Sequence, residues 1–162
     1  MAITYEPIAT TTLSSASTTV TFSSISGSYT DLVLVVAGTI SSGSYFSLRF
    51  NSDTGTNYSN TEMEQFSTSS IASNRNTTAN YMYNGSFQTG QSNTITHIQN
   101  YSNTTTYKTA ITRSNYVTSG VKASVGMWRN TAAITSIEVG NGGGASTYSI
   151  GTTFTLYGIK AA

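Results

Sequence analysis

The chain has 162 residues, no cysteine, only 8% charged residues and a formal net charge of +1. These values exclude disulfides and thiolate chemistry, and they give no electrostatic basis for binding nucleic acid or a membrane surface. Hydrophobic residues at 37% are too many for a disordered chain, while 26 Ser and 30 Thr suit strands and turns. The composition predicts a single all-β domain over residues 1–162.

The N-terminal segment, residues 1–13, is predicted to be an extended arm. Pro7 has no backbone N–H, which suits the edge of a sheet and not its centre. Ile8 and Leu13 need an apolar environment, and a neighbouring subunit would provide one. The predicted interface residues of the arm are Ile3, Tyr5, Pro7 and Ile8.

The longest apolar run of the sequence, residues 31–40, predicts a central strand because its β-branched side chains favour a pleated backbone. Its alternate positions divide into two faces, with Leu32, Leu34 and Val36 on one and Val33 and Val35 on the other. A strand that is apolar on both faces needs a cover on both. We expect one cover to be the core and the other to be a second copy of the chain, so Val33 and Val35 are predicted interface residues.

Alternating patterns on both sides of this run predict a sandwich over residues 18–159. Phe46, Leu48 and Phe50 are predicted to point inward from one strand. The pattern weakens over residues 52–91, which we interpret as a long insertion with one or two short strands. Regular alternation returns after residue 94, in strands that include residues 121–128 and 153–159. About eight main strands in two antiparallel sheets predict a β-sandwich of the jelly-roll type.

Two sets of residues are catalytic candidates. His97 is the only histidine, which excludes a multi-histidine zinc site. A Ser-His-Asp triad would need His97 beside Asp31 or Asp53, but no G-x-S-x-G motif is present, so a structural His97 at a sheet face or interface is favoured. Glu62 and Glu64 point to the same side of a strand, as a glycosidase pair does, but a solvated face is the commoner arrangement.

The remaining candidates also favour structural roles. The segment from Asn51 to Asn57 alternates oxygen-bearing side chains as a calcium loop does, but it holds one carboxylate, so a tight Asp-Thr-Gly turn is favoured. Gly140 to Gly144 lacks the Lys-Ser or Lys-Thr of a phosphate loop and is interpreted as a flexible loop. Trp128, the only tryptophan, is predicted to be buried at a strand end. Three tyrosines are predicted to bind sugar or to form a protein interface: Tyr81, Tyr83 and Tyr101.

Several short pieces of the sequence resemble a group of small virion proteins of tailed bacteriophages. They occur in the expected order and span residues 29–159. The pieces are Tyr29-Thr-Asp31-Leu-Val-Leu, Phe50-Asn51-Ser-Asp53-Thr-Gly55-Thr-Asn57-Tyr58-Ser59, Ile98-Gln-Asn100-Tyr101, Trp128, Ala133-Ile-Thr-Ser-Ile137 and Gly151-Thr-Thr-Phe154-Thr-Leu156-Tyr157-Gly158-Ile159.

The resemblance implies a β-sandwich that usually trimerises and has no catalytic activity. No metal or cofactor is expected. It implies either a capsid decoration (cement) protein or the distal domain of a fibre. The expected partners are further copies of the chain and the major capsid protein, with a host-surface glycan in the fibre alternative. Because no shaft pattern or signal peptide is visible, we expect a decoration protein made in the host cytoplasm and located on the virion.

Overall fold

The structure is a computed structural model that describes residues 4–67, 70–116, 120–142 and 145–160. Within these ranges the chain forms twelve strands and no helix. The strands are β1 (Tyr5–Thr12), β2 (Thr19–Phe22), β3 (Asp31–Gly38), β4 (Ser44–Phe50), β5 (Tyr58–Ser67), β6 (Ser70–Ala79), β7 (Met82–Phe87), β8 (Ser92–Gln99), β9 (Lys108–Tyr116), β10 (Gly120–Trp128), β11 (Ile137–Asn141) and β12 (Thr153–Ile159). The strands pair in two antiparallel sheets, which confirms the predicted all-β sandwich.

The larger sheet has the strand order β1-β12-β3-β8-β9-β10-β5-β6, and the smaller has the order β2-β11-β4-β7. When the hairpins β5–β6 and β9–β10 are set aside, the remaining eight strands form two sheets of four. Their orders, β1-β12-β3-β8 and β2-β11-β4-β7, are those of a jelly roll. Eight strands therefore form the jelly roll, as predicted in number, but β1 and β7 come from the predicted arm and insertion, whereas the predicted strands at residues 107–116 and 121–128 form one of the two hairpins that extend the larger sheet beyond β8.

The four added strands, β9, β10, β5 and β6, are called the extension below. Two of its strands and β7 lie in residues 52–91, where the sequence pattern predicts only one or two short strands. β5 and β6 are ten residues each, and β5 pairs with β10 from the other hairpin over seven residues. The predicted insertion is therefore an integral part of the larger sheet.

The core lies between the two four-stranded sheets of the jelly roll. Its inward positions are apolar on both sides, as the alternation of the sequence predicts. From the larger sheet it receives Leu32, Leu34, Val36, Phe154 and Leu156, and from the smaller sheet Phe46, Leu48, Phe50, Ile137 and Val139. All ten are fully buried. Each such side chain stabilises the fold by about 1.5–3 kcal/mol through burial alone.

The N-terminal segment is a strand of the larger sheet, and the predicted free arm is not confirmed. β1 pairs with β12 over most of its length and lies at the edge of the sheet, with an irregularity between Pro7 and Ala9. An edge position is the one that Pro7 tolerates. Ile8 and Leu13 pack against the core of their own chain, so they need no neighbouring subunit for burial. Ile3 lies outside the described residues.

Candidate interaction surface

His97 lies on the outer face of the larger sheet, where its Nε2 is 2.9 Å from the Asp31 carboxylate. The other oxygen of Asp31 accepts the backbone N–H of Asn100. Asp31 thus ties the start of β3 to the turn after β8. No serine or threonine hydroxyl among the described residues hydrogen bonds to His97. The pair has the geometry of the structural role that the sequence favours.

Glu62 and Glu64 are buried on the inner face of β5, which contradicts the predicted solvated face. Lys122 of β10 lies between them, with its Nζ 2.8 Å from Glu62 and 3.2 Å from Glu64. Asn74 also donates a hydrogen bond to Glu64, and the Lys122 ammonium lies 4.9 Å from the ring centroid of Tyr45. Lys122, Glu62 and Glu64 are together called the ion cluster below. Because all three side chains are almost completely enclosed, the carboxylates are in no position to meet a sugar substrate.

Further polar residues fill the space between β7 and the extension. Asn84 of β7 hydrogen bonds to Thr96 and Thr112, whose hydroxyls are 3.0 Å apart. Ser114 accepts the backbone N–H of Ser86. All five of these residues are buried. This polar layer holds the extension to the jelly roll in addition to the apolar contacts that Tyr58, Ala110 and Trp128 make with the core.

The Asp53 loop is the tight turn that the sequence favours. One oxygen of Asp53 accepts the backbone N–H of Gly55, and the other accepts the indole N–H of Trp128 at 2.7 Å. Asn57 donates to both oxygens. Partial burial raises the pKa of the Asp53 carboxyl. The hydrogen bonds from Trp128, Asn57 and Gly55 lower this pKa by more than burial raises it, so the pKa lies below the usual range.

Trp128 is fully buried, as predicted, and stacks on Tyr58 with an interplanar angle of 17°. The Asp53 carboxylate is thus occupied by N–H donors, which hold the end of β10 against the loop after β4. The described residues include no group of three or more His, Cys, Asp or Glu side chains placed to hold a metal ion.

The sequence pieces that carry the virion-protein resemblance meet at one end of the sandwich. The side chain of Asn51 donates to the carbonyl of Ala133 and accepts the backbone N–H groups of Thr135 and Ser136. The backbone N–H of Ile134 donates to the carbonyl of Tyr101. These contacts join loops that are distant in sequence. The matching pieces are therefore a structural framework and do not form a cleft with reactive groups.

The predicted interface residues fall into different environments. Tyr5 is 54% exposed, whereas Val33 is buried and Val35 half-buried on the outer face of the larger sheet. Tyr101 is completely buried, and its hydroxyl donates to the carbonyl of Ser26. Burial of Tyr101 corrects the prediction that its ring contacts a partner or a sugar. Pro7 is exposed at the sheet edge.

Tyr81 and Tyr83 form a half-buried cluster beside β4. Their ring centroids are 4.7 Å apart, and Tyr83 lies 5.2 Å from Tyr45 in an edge-to-face arrangement. The Tyr81 hydroxyl bonds to Tyr83 and to the carbonyl of Gly142, and burial is the main cause that raises its pKa. Arg49 lies 5.6 Å from the Tyr81 ring and pairs with Glu138. The tyrosine cluster leaves aromatic surface accessible, chiefly at Tyr45, which is 45% exposed.

An exposed apolar surface on the extension was not predicted from the sequence. The strand residues 121, 123, 125 and 127 share one face, as the alternation predicts, but that face points outward and the Lys122 face points inward. Neighbouring strands add further side chains to the same outer surface. We call it the apolar face, defined by Met63 (61% exposed), Ile71 (79%), Ile111 (62%), Val121 (59%) and Val125 (52%).

A groove of about 490 Å³ lies on this surface, bordered by Met63, Ile71, Ile95, Arg113, Val121 and Ala123. A single-strand pattern shows two faces but not which one is inside, so the sequence carried only an indirect signal for this surface. That signal is a lysine in one strand, Lys122, and two glutamates in another, Glu62 and Glu64. Buried charges need partners of opposite sign, so these three residues can face inward together.

Comparisons with protein-family models, with curated proteins and with solved structures found no match. Among the described residues, no helix is long and apolar enough to cross a membrane.

Proposed function

We propose that this chain is a non-enzymatic structural protein of a bacteriophage virion, most specifically a homotrimeric capsid decoration protein that stabilises the assembled shell. The proposal begins from the resemblance of the sequence pieces to small virion proteins. It is supported by the place of those pieces in the fold, where Asn51, Asp53 and Asp31 hold loops together. Residues used in this way are available for scaffolding and not for chemistry.

The observation that carries the proposal is the apolar face. An exposed apolar surface near the upper end of the range for the largest patch of a monomer is often functional, and protein interaction is one such function. Only 8% of the residues are charged, so contacts made by this protein depend little on ion pairs and are weakly screened by salt. A protein that must remain on a particle through changes of ionic strength benefits from contacts of this kind.

A decoration protein acts by mass action. It binds the assembled shell and not the unassembled subunits, so binding raises the apparent stability of the shell. Three copies joined in one trimer bind with avidity, which allows each individual contact to be modest.

The test compares purified bare capsids of the encoding phage with and without added protein. We expect co-sedimentation at hundreds of copies per particle and a higher melting temperature of the shell. Wild-type protein that neither co-sediments nor raises this temperature would contradict the decoration role.

The alternative function is a receptor-binding tip of a tail or head fibre. The tyrosine cluster favours it, because aromatic rings beside an arginine and a carboxylate are a common surface for sugar binding. Binding to host cells that is lost in Tyr45→Ala, with no binding to capsids and only a few copies per particle, would support the tip and overturn the decoration role.

A further inference from the structure

The apolar face runs across neighbouring strands in register. Val125 pairs with Thr61 on one side and with Ile111 on the other. Ala123 pairs in the same way with Met63 and Arg113. The result is a continuous surface over β5, β10 and β9. We propose that a second copy of this chain covers the apolar face. The inference rests on the proposed homotrimer, for which it names the contact surface.

The exposed area matches what an oligomer needs. With roughly 170–200 Å² for each fully exposed side chain, the five residues of the apolar face expose on the order of 550 Å², at the upper end of the range for the largest patch of a monomer. A standard interface buries about 800 Å² on each partner, and in homodimers about 65% of it is apolar. The apolar share of such an interface is thus about 500 Å² per copy, close to the area exposed here.

The described strands have no second arrangement that covers this surface. A one-residue change of register would turn Val121 and Val125 inward, but it would also turn Lys122 outward, since side chains alternate with a period of two. Lys122 is fixed inward by its contacts with Glu62 and Glu64. The ion cluster therefore determines that the valines face outward, where no other described part of the chain buries them.

The charges of the chain indicate what kind of contact this is. All six carboxylates are engaged within their own chain: Glu6 with Lys160, Asp31 with His97, Asp53 with Trp128, Glu62 and Glu64 with Lys122, and Glu138 with Arg49. Arg75 and Arg113 lie on the extension without a carboxylate partner among the described residues. Two copies meeting here would gain no ion pair from each other, so the contact is apolar and resists salt.

The experiment measures the mass of the purified full chain by light scattering over a range of micromolar concentrations. Wild type is expected at the mass of three chains. Ile111→Lys places a charge in the contact and should raise the dissociation constant by about tenfold or more, since 1.4 kcal/mol already corresponds to that factor. Ile150→Lys is the matched control, because Ile150 is also exposed, at 70%, but lies in the turn before β12, away from the apolar face.

Circular dichroism checks that each variant is folded, and Val125→Lys replaces Ile111→Lys if that variant is not. Monomeric wild type would overturn the inference. An oligomer that neither substitution weakens would also overturn the inference. The proposed trimer and its capsid binding would then use another surface of the chain. Addition of about 0.5 M NaCl reduces the Debye length to a few ångströms. The measured mass should then stay unchanged, because an apolar contact is not screened. Dissociation in salt would contradict an apolar contact.

Discussion

Strands of the jelly roll and of the extension both alternate apolar and polar residues, but β3 buries its apolar residues whereas β10 exposes its valines. In β3 the apolar set Leu32, Leu34 and Val36 is buried. In β10 the buried set includes Lys122 and Ser124, and the valines on either side of them are exposed. The jelly roll encloses a hydrophobic core, whereas the inner face of the extension combines residues of that core, such as Trp128, with buried polar and charged side chains. The comparison shows that a fold can bury polar side chains on one face of a strand and leave the apolar side chains of the other face exposed.

The largest effect is expected where the two regions meet. Trp128→Ala removes a buried indole that contacts Phe50 and Tyr58 and donates to Asp53. We expect it to lower the free energy of unfolding by about 3–5 kcal/mol. Urea denaturation followed by circular dichroism measures the loss. Trp128→Phe keeps much of the volume and should cost clearly less, and equal losses in the two variants would mean that volume is not the main contribution.

The second prediction concerns the ion cluster. Lys122→Met leaves Glu62 and Glu64 buried without their cation, which should cost about 3 kcal/mol, the lower end of the range because Asn74 still donates to Glu64. The same urea experiment applies. Adding Glu62→Gln and Glu64→Gln to this variant should restore part of the loss, since the uncompensated charges are removed. If Lys122→Met alone leaves the free energy of unfolding unchanged, water must hydrate Glu62 and Glu64 inside the extension.

The third prediction tests how closely β7 approaches the extension. Gly85 has a φ of 114°, and a Cβ atom there would lie 2.8 Å from the Ser114 hydroxyl. Gly85→Ala is expected to cost about 1–3 kcal/mol from overpacking and backbone strain. Gly151 is the control, because its φ is also positive at 85° but nothing lies within 4 Å of the added atom. Gly151→Ala should therefore cost less, and thermal melts of both variants provide the comparison.

The smallest effect is expected on acidification. The folded-state pKa of Asp53 is lowered by its hydrogen bonds, beginning with that of Trp128, which outweigh the effect of burial. Its contribution to stability is therefore complete above the unfolded pKa of about 3.8 and is lost as pH falls through the lower folded value. Denaturation midpoints at pH 5 and pH 3 should differ less in Asp53→Asn than in wild type. Identical differences would remove Asp53 from the acid response.

The sequence predicted most strands of the jelly roll, β1 and β7 excepted, because those strands alternate apolar inward and polar outward residues. The inward set Phe46, Leu48 and Phe50 and the closing strand β12 agree with the structure. The Asp53 turn was also predictable, since an Asp side chain accepts the backbone N–H two residues on and Gly tolerates the conformations of a tight turn. These features depend on local pattern and turn chemistry, which a single sequence carries.

The extension and the apolar face were less predictable because they depend on pairing between distant segments. Residues 121–128 alternate in the same way whether the valines face inward or outward. The choice is made by Glu62 and Glu64, some sixty residues away, whose pairing with Lys122 appears only in the folded chain. In the same way, β1 is a strand of the larger sheet because it pairs with β12. The N-terminal sequence alone does not indicate this pairing.

The position of the single tryptophan has a spectroscopic consequence. Trp128 belongs to the extension by sequence, but its contacts with Asp53 and Phe50 join it to the loop and strand of the jelly roll. Its fluorescence therefore reports on one junction, while the far-ultraviolet signal reports on the strands of both regions. If the two regions unfold as one cooperative unit, the two signals change at the same denaturant concentration. Detachment of the extension before the jelly roll unfolds would separate the two curves, with the tryptophan emission changing first.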